Sequence, residues 1–167
     1  MYAIGDYIVK AFNGVCKIED ILHLEMSGVD KNKLYYLLIP VKDNREKIYM
    51  PTDSDGSGVR KAMTEEDARD LIDRIPDIED VWTDNVKLRE QKYKEAVKNN
   101  NPDALIGIIK TSYQQRQKRL EQGKKGMAAD EKYFKLAQNS LFSELGFALN
   151  KSNEEVCKMV VDSIQAK

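Results

Sequence analysis

The stretch KIYMPTDSDGSGVRKAMTEEDARDLIDRIP, residues 47–76, changes its period part-way along. Lys47-Ile48-Tyr49-Met50-Pro51 is short, apolar and aromatic, and reads as a strand. Asp53-Ser54-Asp55-Gly56-Ser57-Gly58 is plain loop chemistry. Thr64, followed three residues later by Asp67, is an N-cap signal. Ala68, Leu71, Ile72 and Ile75 then share one helical face, and Pro76 stops it. A chain that is β before this loop and α after it has an α+β layout.

Upstream, Tyr7-Ile8-Val9 follows the turn residues Gly5-Asp6. Val15-Cys16-Lys17-Ile18 follows Gly14 and continues toward Ile21. Leu34-Tyr35-Tyr36-Leu37-Leu38-Ile39 is a continuous apolar and aromatic run, the mark of a buried strand. Four or five short strands at about ten-residue spacing predict a small barrel, SH3-like in size. A barrel this small has a thin core and would lean on its neighbour.

Downstream, the pattern is helix after helix. Val86, Tyr93 and Val97 form a stripe between about Asp84 and Lys98. Asn101-Pro102 is an N-cap with proline in the first turn, and Leu105, Ile108, Ile109 and Tyr113 form the next face until Gly123 breaks it. Ala129, Tyr133, Ala137, Leu141, Leu145 and Ala148 form a third face. Ser152 and Glu155 make a capping box for a last helix carrying Val156, Met159, Val160 and Ile164. The expected architecture is a barrel domain over residues 1–60 and an all-helical domain of about four to five helices over 61–167.

The chain has 167 residues and a net charge of −1, so a uniformly basic coat for nucleic acid is excluded. The charge is segregated, however. Residues 1–80 carry a net −6, residues 81–167 a net +5, and residues 85–135 a net +7. Such asymmetry suggests two parts with different partners, the second a polyanion. The single histidine, His23, excludes a multi-histidine metal site. It sits between Leu22 and Leu24 and reads as a surface strand residue. Cys16 and Cys157 lack zinc-ligand spacing and read as two reduced core thiols. No phosphate-loop, dinucleotide-binding or HExxH motif occurs. No catalytic constellation and no cofactor site is expected; an enzyme would have to use His23 or a carboxylate pair. The N-terminus lacks a signal core, and no run approaches a membrane span. A cytoplasmic protein is expected.

The candidate contact residues are basic. Arg89 and Lys92 are one helical turn apart, as are Arg116 and Arg119. Lys124 and Lys125 occupy a helix break, with Lys132 one turn into the next helix. Helix breaks and N-termini offer N–H groups to phosphate. The pattern fits backbone and shape contact rather than a sequence code. Trp82 is the only tryptophan. It reads either as a packing residue or as an apolar wedge against an unstacked base step.

Gly5-Asp6, Ile8-Val9 and Gly14-Val15 resemble the start of the CarD/CdnL family of bacterial transcription regulators. Tyr35-Tyr36, Ile48-Tyr49-Met50-Pro51 and Val59-Arg60 resemble its later strands. Asp103 through Lys110, Gly126-Met127-Ala128-Ala129-Asp130-Glu131-Lys132 and Ala137 through Leu145 resemble its helices. In better-known members the wedge tryptophan aligns with Val86, and Trp82 lies one helical turn earlier. The family's helix-cap Ser/Thr is Ala128 here.

The resemblance implies a Tudor/SH3-like barrel, shared with the polymerase-binding module of the transcription-repair coupling factor. It implies a non-enzymatic regulator, expected as a monomer associated with the nucleoid through RNA polymerase. The barrel would bind the β subunit of RNA polymerase by strand pairing, and Lys47, Ile48, Tyr49 and Met50 are the edge we expect. Proline at Ile48 is the expected way to remove an edge N–H. The helical domain would contact promoter DNA through its backbone and minor groove at the upstream bubble edge, prolonging the open complex. Trp82, Arg89, Lys92, Arg116, Arg119, Lys124, Lys125 and Lys132 are the residues expected there. The alternative is an adaptor that binds polymerase or another protein without touching DNA.

Overall fold

The computed structural model describes residues 2–53, 58–124 and 128–166, and the side chains of Ala128 and Ala129 lie outside that description. Among these residues five strands come first: β1 (Tyr7–Lys10), β2 (Gly14–His23), β3 (Leu34–Pro40), β4 (Ile48–Pro51) and β5 (Val59–Lys61). Five helices follow among the described residues: α1 (Glu65–Arg74), α2 (Val86–Asn99), α3 (Pro102–Glu121), α4 (Ala128–Leu149) and α5 (Asn153–Gln165). This is the α+β layout read from the sequence. A 3-10 turn, Ile75–Asp77, carries Pro76 just after α1.

The strands make one antiparallel sheet in the order β4-β3-β2-β1-β5. Its ladder ends at β4 on one side and at β5 on the other. Ile8, Cys16, Ile18, Tyr36, Leu38 and Met50 alternate onto one face and form a small core. Val9 and Val15, paired across β1 and β2, point the other way and are also buried. The helical part covers them: β2 packs against α4, and the Tyr7 ring meets Phe147 in a tilted pair with centroids 4.9 Å apart. The barrel-sized sheet thus has the neighbour that its thin core requires. A bulge between Ile18 and Asp20 re-sets the β2 register, and β2 continues to His23 rather than stopping near Ile21.

The local helix signals are realised as hydrogen bonds. Asp67 N–H donates to Thr64 Oγ1 over 3.1 Å, and Thr64 N–H donates to Asp67 Oδ2 over 3.2 Å. Ser152 and Glu155 repeat the box on α5. Asn101 caps α3 through Ala104 N–H at 3.2 Å. Leu105 through Ser112 are all buried, so the first half of α3 is enclosed on every side rather than presenting one apolar face. Lys110 is buried with them. Its Nζ donates to the carbonyls of Ile75, Pro76 and Ile78 at 3.1, 3.1 and 2.8 Å, closing the end of the α1 turn. In α2 the sequence stripe is displaced: Val86 is exposed, and the buried positions are Arg89, Tyr93 and Val97.

Polar groups lock the sheet to the helices. Arg60 on β5 makes a two-pronged ion pair with Glu144 on α4, Nη1–Oε2 2.7 Å and Nη2–Oε1 2.6 Å. Met63 N–H donates to the same carboxylate at 2.9 Å, and Arg60 Nε donates to the Asn100 carbonyl at 2.8 Å. Glu144 is 1% exposed. Asn100 ends α2 in the left-handed conformation, φ 57°, and its amide donates to the carbonyls of Val9 and Gly58 at 3.3 Å each. Gly58 has φ +75°, and a Cβ there would lie 2.7 Å from the Lys98 carbonyl oxygen. Gly58→Ala is expected to cost about 1–3 kcal/mol, through a strained φ and a backbone clash. Denaturant unfolding would register it as a lower midpoint at unchanged slope. An unchanged midpoint would mean that the sheet does not sit this close to α2.

Both cysteines are free. Cys16 belongs to the sheet core, where burial pushes its thiol up to about 11. Cys157 is half-buried against the helical core. Among the described residues no helix is long and apolar enough to cross a membrane.

Candidate functional site

The first candidate is the open edge at β4. Among the described residues its only strand neighbour is β3. Thr52 N–H donates to the Leu34 carbonyl at 3.0 Å, and the same register pairs Met50 with Tyr36 and Ile48 with Leu38. Hydrogen-bonded pairs alternate in an antiparallel ladder. Ile48 and Met50 therefore turn their backbone groups toward β3, and Tyr49 turns its own outward. Pro51 also faces outward and has no N–H to offer, which shortens the edge. Lys47, immediately before β4, is exposed.

This ladder refines the sequence expectation for the edge. Proline at Ile48 would break the β3 pairing; the outward N–H belongs to Tyr49. The side chains divide in the opposite sense. Met50 is in the sheet core and Ile48 packs against it, whereas Tyr49 is exposed and stands opposite Leu37. Of the four expected residues, Lys47 and Tyr49 have side chains that a partner could reach.

The second candidate lies at the segment between the 3-10 turn and α2, residues 78–85, which has no helix or strand. Two anchors from α3 hold its first half. Val81 N–H donates to Thr111 Oγ1 at 2.9 Å, and Gly107 leaves room for Val81 and the Glu79 carbonyl. Trp82 is half-buried, and its Nε1–H donates to Asp84 Oδ1 at 3.2 Å.

Trp82, Arg116, Arg119, Phe134 and Glu131 line one small pocket. Residues far apart in sequence are thus assembled at one place. The Arg116 guanidinium lies 5.3 Å from the Phe134 ring centroid. Lys132, on the same turn of α4, has its Nζ 5.6 Å from the Tyr133 ring centroid. Lys92 and Lys124 are exposed, and Lys125 lies outside the described residues. Carboxylates are present as well: Asp80 Oδ1 accepts from Trp82 N–H, Asp84 accepts from the indole, and Glu131 lines the pocket.

Arg89 is placed differently from the exposed phosphate ligand expected of it. Its side chain is only 2% exposed. Nε and Nη2 donate to Asp130 Oδ1 and Oδ2 at 2.9 and 3.0 Å, and Nη1 donates to the Thr83 carbonyl at 2.7 Å. The hydrogen bonds it donates to the Asp130 carboxylate hold the guanidinium firmly protonated. Sequence reading had no signal for this pair, because Asp130 is 41 residues away and looks like an ordinary first-turn acid.

His23 is exposed at the end of β2, with Nδ1 3.0 Å from the Lys33 carbonyl oxygen. Among the described residues no group of three His, Cys, Asp or Glu could hold a metal ion.

Residues 2–63, which span the whole sheet, match the family model of the CarD-like/TRCF RID domain. Over these residues the chain is similar to that domain. This agrees with the CarD/CdnL resemblance of the sequence over that span. RID domains are non-catalytic interaction domains of RNA polymerase-interacting regulators, so a transcription-regulating, polymerase-binding family is indicated. No curated protein matches the chain.

Proposed function

We propose that this protein is a transcription regulator that docks on the RNA polymerase β subunit and stabilises promoter open complexes. The observation that carries the reading is an RID-domain match over a sheet whose β4 edge is open. A partner strand would pair with the outward backbone groups of Tyr49 and Lys47, and the Tyr49 ring would add a side-chain contact. We divide the chain at about residue 60 into a docking part and a helical DNA-contacting part.

In the helical part, Arg116 and Arg119, with Lys92, Lys124, Lys125 and Lys132, would contact phosphates. Trp82 would meet an opening base step. Arg89 is not assigned a phosphate. The effect is a population shift: a protein that binds the open complex better by about 1.4 kcal/mol moves the closed–open equilibrium tenfold. No chemistry of its own is required, and none is assigned.

Asp80, Asp84 and Glu131 around Trp82 favour a second reading, an adaptor that binds polymerase without touching DNA. Charge reversal separates the two. On a forked promoter DNA, Arg116→Glu with Arg119→Glu should reduce affinity and lower the slope of log K against log salt by about 2. Binding of the polymerase β lobe should be unchanged. Full DNA affinity in that variant would leave the adaptor reading standing.

A further inference from the structure

The buried Arg89 is the part of this molecule that its charge pattern would assign wrongly. Its guanidinium carbon lies over the Trp82 ring, 4.1 Å from the centroid, within cation–π distance. The same group is gripped on one edge by Asp130, at the start of α4, and donates on another to the Thr83 carbonyl, next to Trp82 in the chain. One side chain from α2 therefore touches the indole, its backbone neighbour and the first turn of α4. Arg rather than Lys is suited to this, since only a planar fork can bond two oxygens and stack at once.

The indole has further constraints. Its N–H is taken by Asp84, and Val81 hangs from Thr111 on α3. Without the Arg89 side chain Trp82 and Thr83 would keep, among the described residues, the local bonds of Trp82 to Asp80 and Asp84 and of Asn85 N–H to Thr83 Oγ1, while Asn85 stays on α2 as its N-cap through Leu88 N–H and Arg89 N–H. Such bonds fix turns and the start of α2 but do not tie the indole to α4.

We propose that Arg89, held by Asp130, is a positioning residue that fixes the Trp82 indole beside Arg116 and Arg119 and thereby sets the protein's grip on nucleic acid. It acts through Trp82 and makes no phosphate contact itself. This rests on the DNA role proposed for Trp82, and the test separates the two. Trp82 is the sole tryptophan, so intrinsic fluorescence reports its position without DNA.

The experiment uses the full chain as wild type, Arg89→Lys, Asp130→Asn, Trp82→Ala and the double variant Arg89→Lys/Trp82→Ala. Acrylamide quenching is measured first, with circular dichroism to establish folding. In Arg89→Lys, and in Asp130→Asn should the former not fold, quenching should rise and the emission should shift to the red. Binding to a forked promoter DNA should then fall about tenfold in Arg89→Lys and be no worse in the double variant than in Trp82→Ala, as coupled residues require. A folded Arg89→Lys with unaltered quenching would overturn the proposal. So would additive losses in the double variant, which would make Arg89 an independent DNA contact. Should Trp82→Ala bind DNA like wild type, the wedge role fails, and with it the effect on grip. The quenching result would still decide the positioning.

Discussion

Tyr49→Pro should release the protein from an isolated RNA polymerase β-lobe fragment while leaving the fold in place. The Tyr49 N–H points out of the sheet, so proline removes a donor that β3 does not use. A partner carbonyl that has lost its donor in a desolvated strand pairing costs about 1–3 kcal/mol, and ring contact with the incoming strand adds to it. A drop in affinity of roughly 30- to 150-fold corresponds to about 2–3 kcal/mol. Tyr49→Ala keeps the N–H and should lose less, which separates backbone pairing from contact with the ring. Ile48→Pro should behave in the opposite way. It breaks the bond toward β3 and should lower stability before it says anything about binding. Titration of the fragment against the three variants, with a thermal melt of each, checks the order. Wild-type affinity in Tyr49→Pro would show that β4 is not the docking edge.

Arg60→Met should be the most destabilising single change among these. It leaves the Glu144 carboxylate, 1% exposed, with Met63 N–H in place of two guanidinium bonds. Removing one partner of a buried pair costs about 3–5 kcal/mol. For a chain of this size that is roughly 6–20 °C in melting temperature. The double change Arg60→Met/Glu144→Leu should recover much of the loss, because it removes the orphaned charge as well. Thermal unfolding of the two variants tests this, and an unchanged melting point in Arg60→Met would rule out a load on the latch. The consequence reaches function. Arg60 sits on β5 and Glu144 on α4, so the pair, with Asn100, fixes the β4 edge relative to the Trp82 segment. Two contacts on one assembly reinforce each other only when their separation is held.

Whatever depends on neighbours a few residues away is legible in the local sequence. The capping boxes at Thr64 and Ser152 and the Asn101-Pro102 start are bonds between residues three apart. The strand runs are set by local pattern, and the RID-domain family model matches the same span, residues 2–63. The identity of the edge strand was legible too, since Pro51 is a residue that edges tolerate.

The tertiary structure alone decided what those residues face. Which N–H of β4 points outward depends on the β3 register, and one step of register exchanges Ile48 for Tyr49. Periodicity placed Val86 in the α2 stripe, but the buried position is Arg89, because Asp130 neutralises it there. A charged side chain is buried only where a partner repays its desolvation, and that partner lies 41 residues on. Arg60 and Glu144 meet across 84 residues in the same way. Local pattern carries no term for such pairs, so an arginine that stays exposed and one that is buried against a distant carboxylate look alike until the chain is folded.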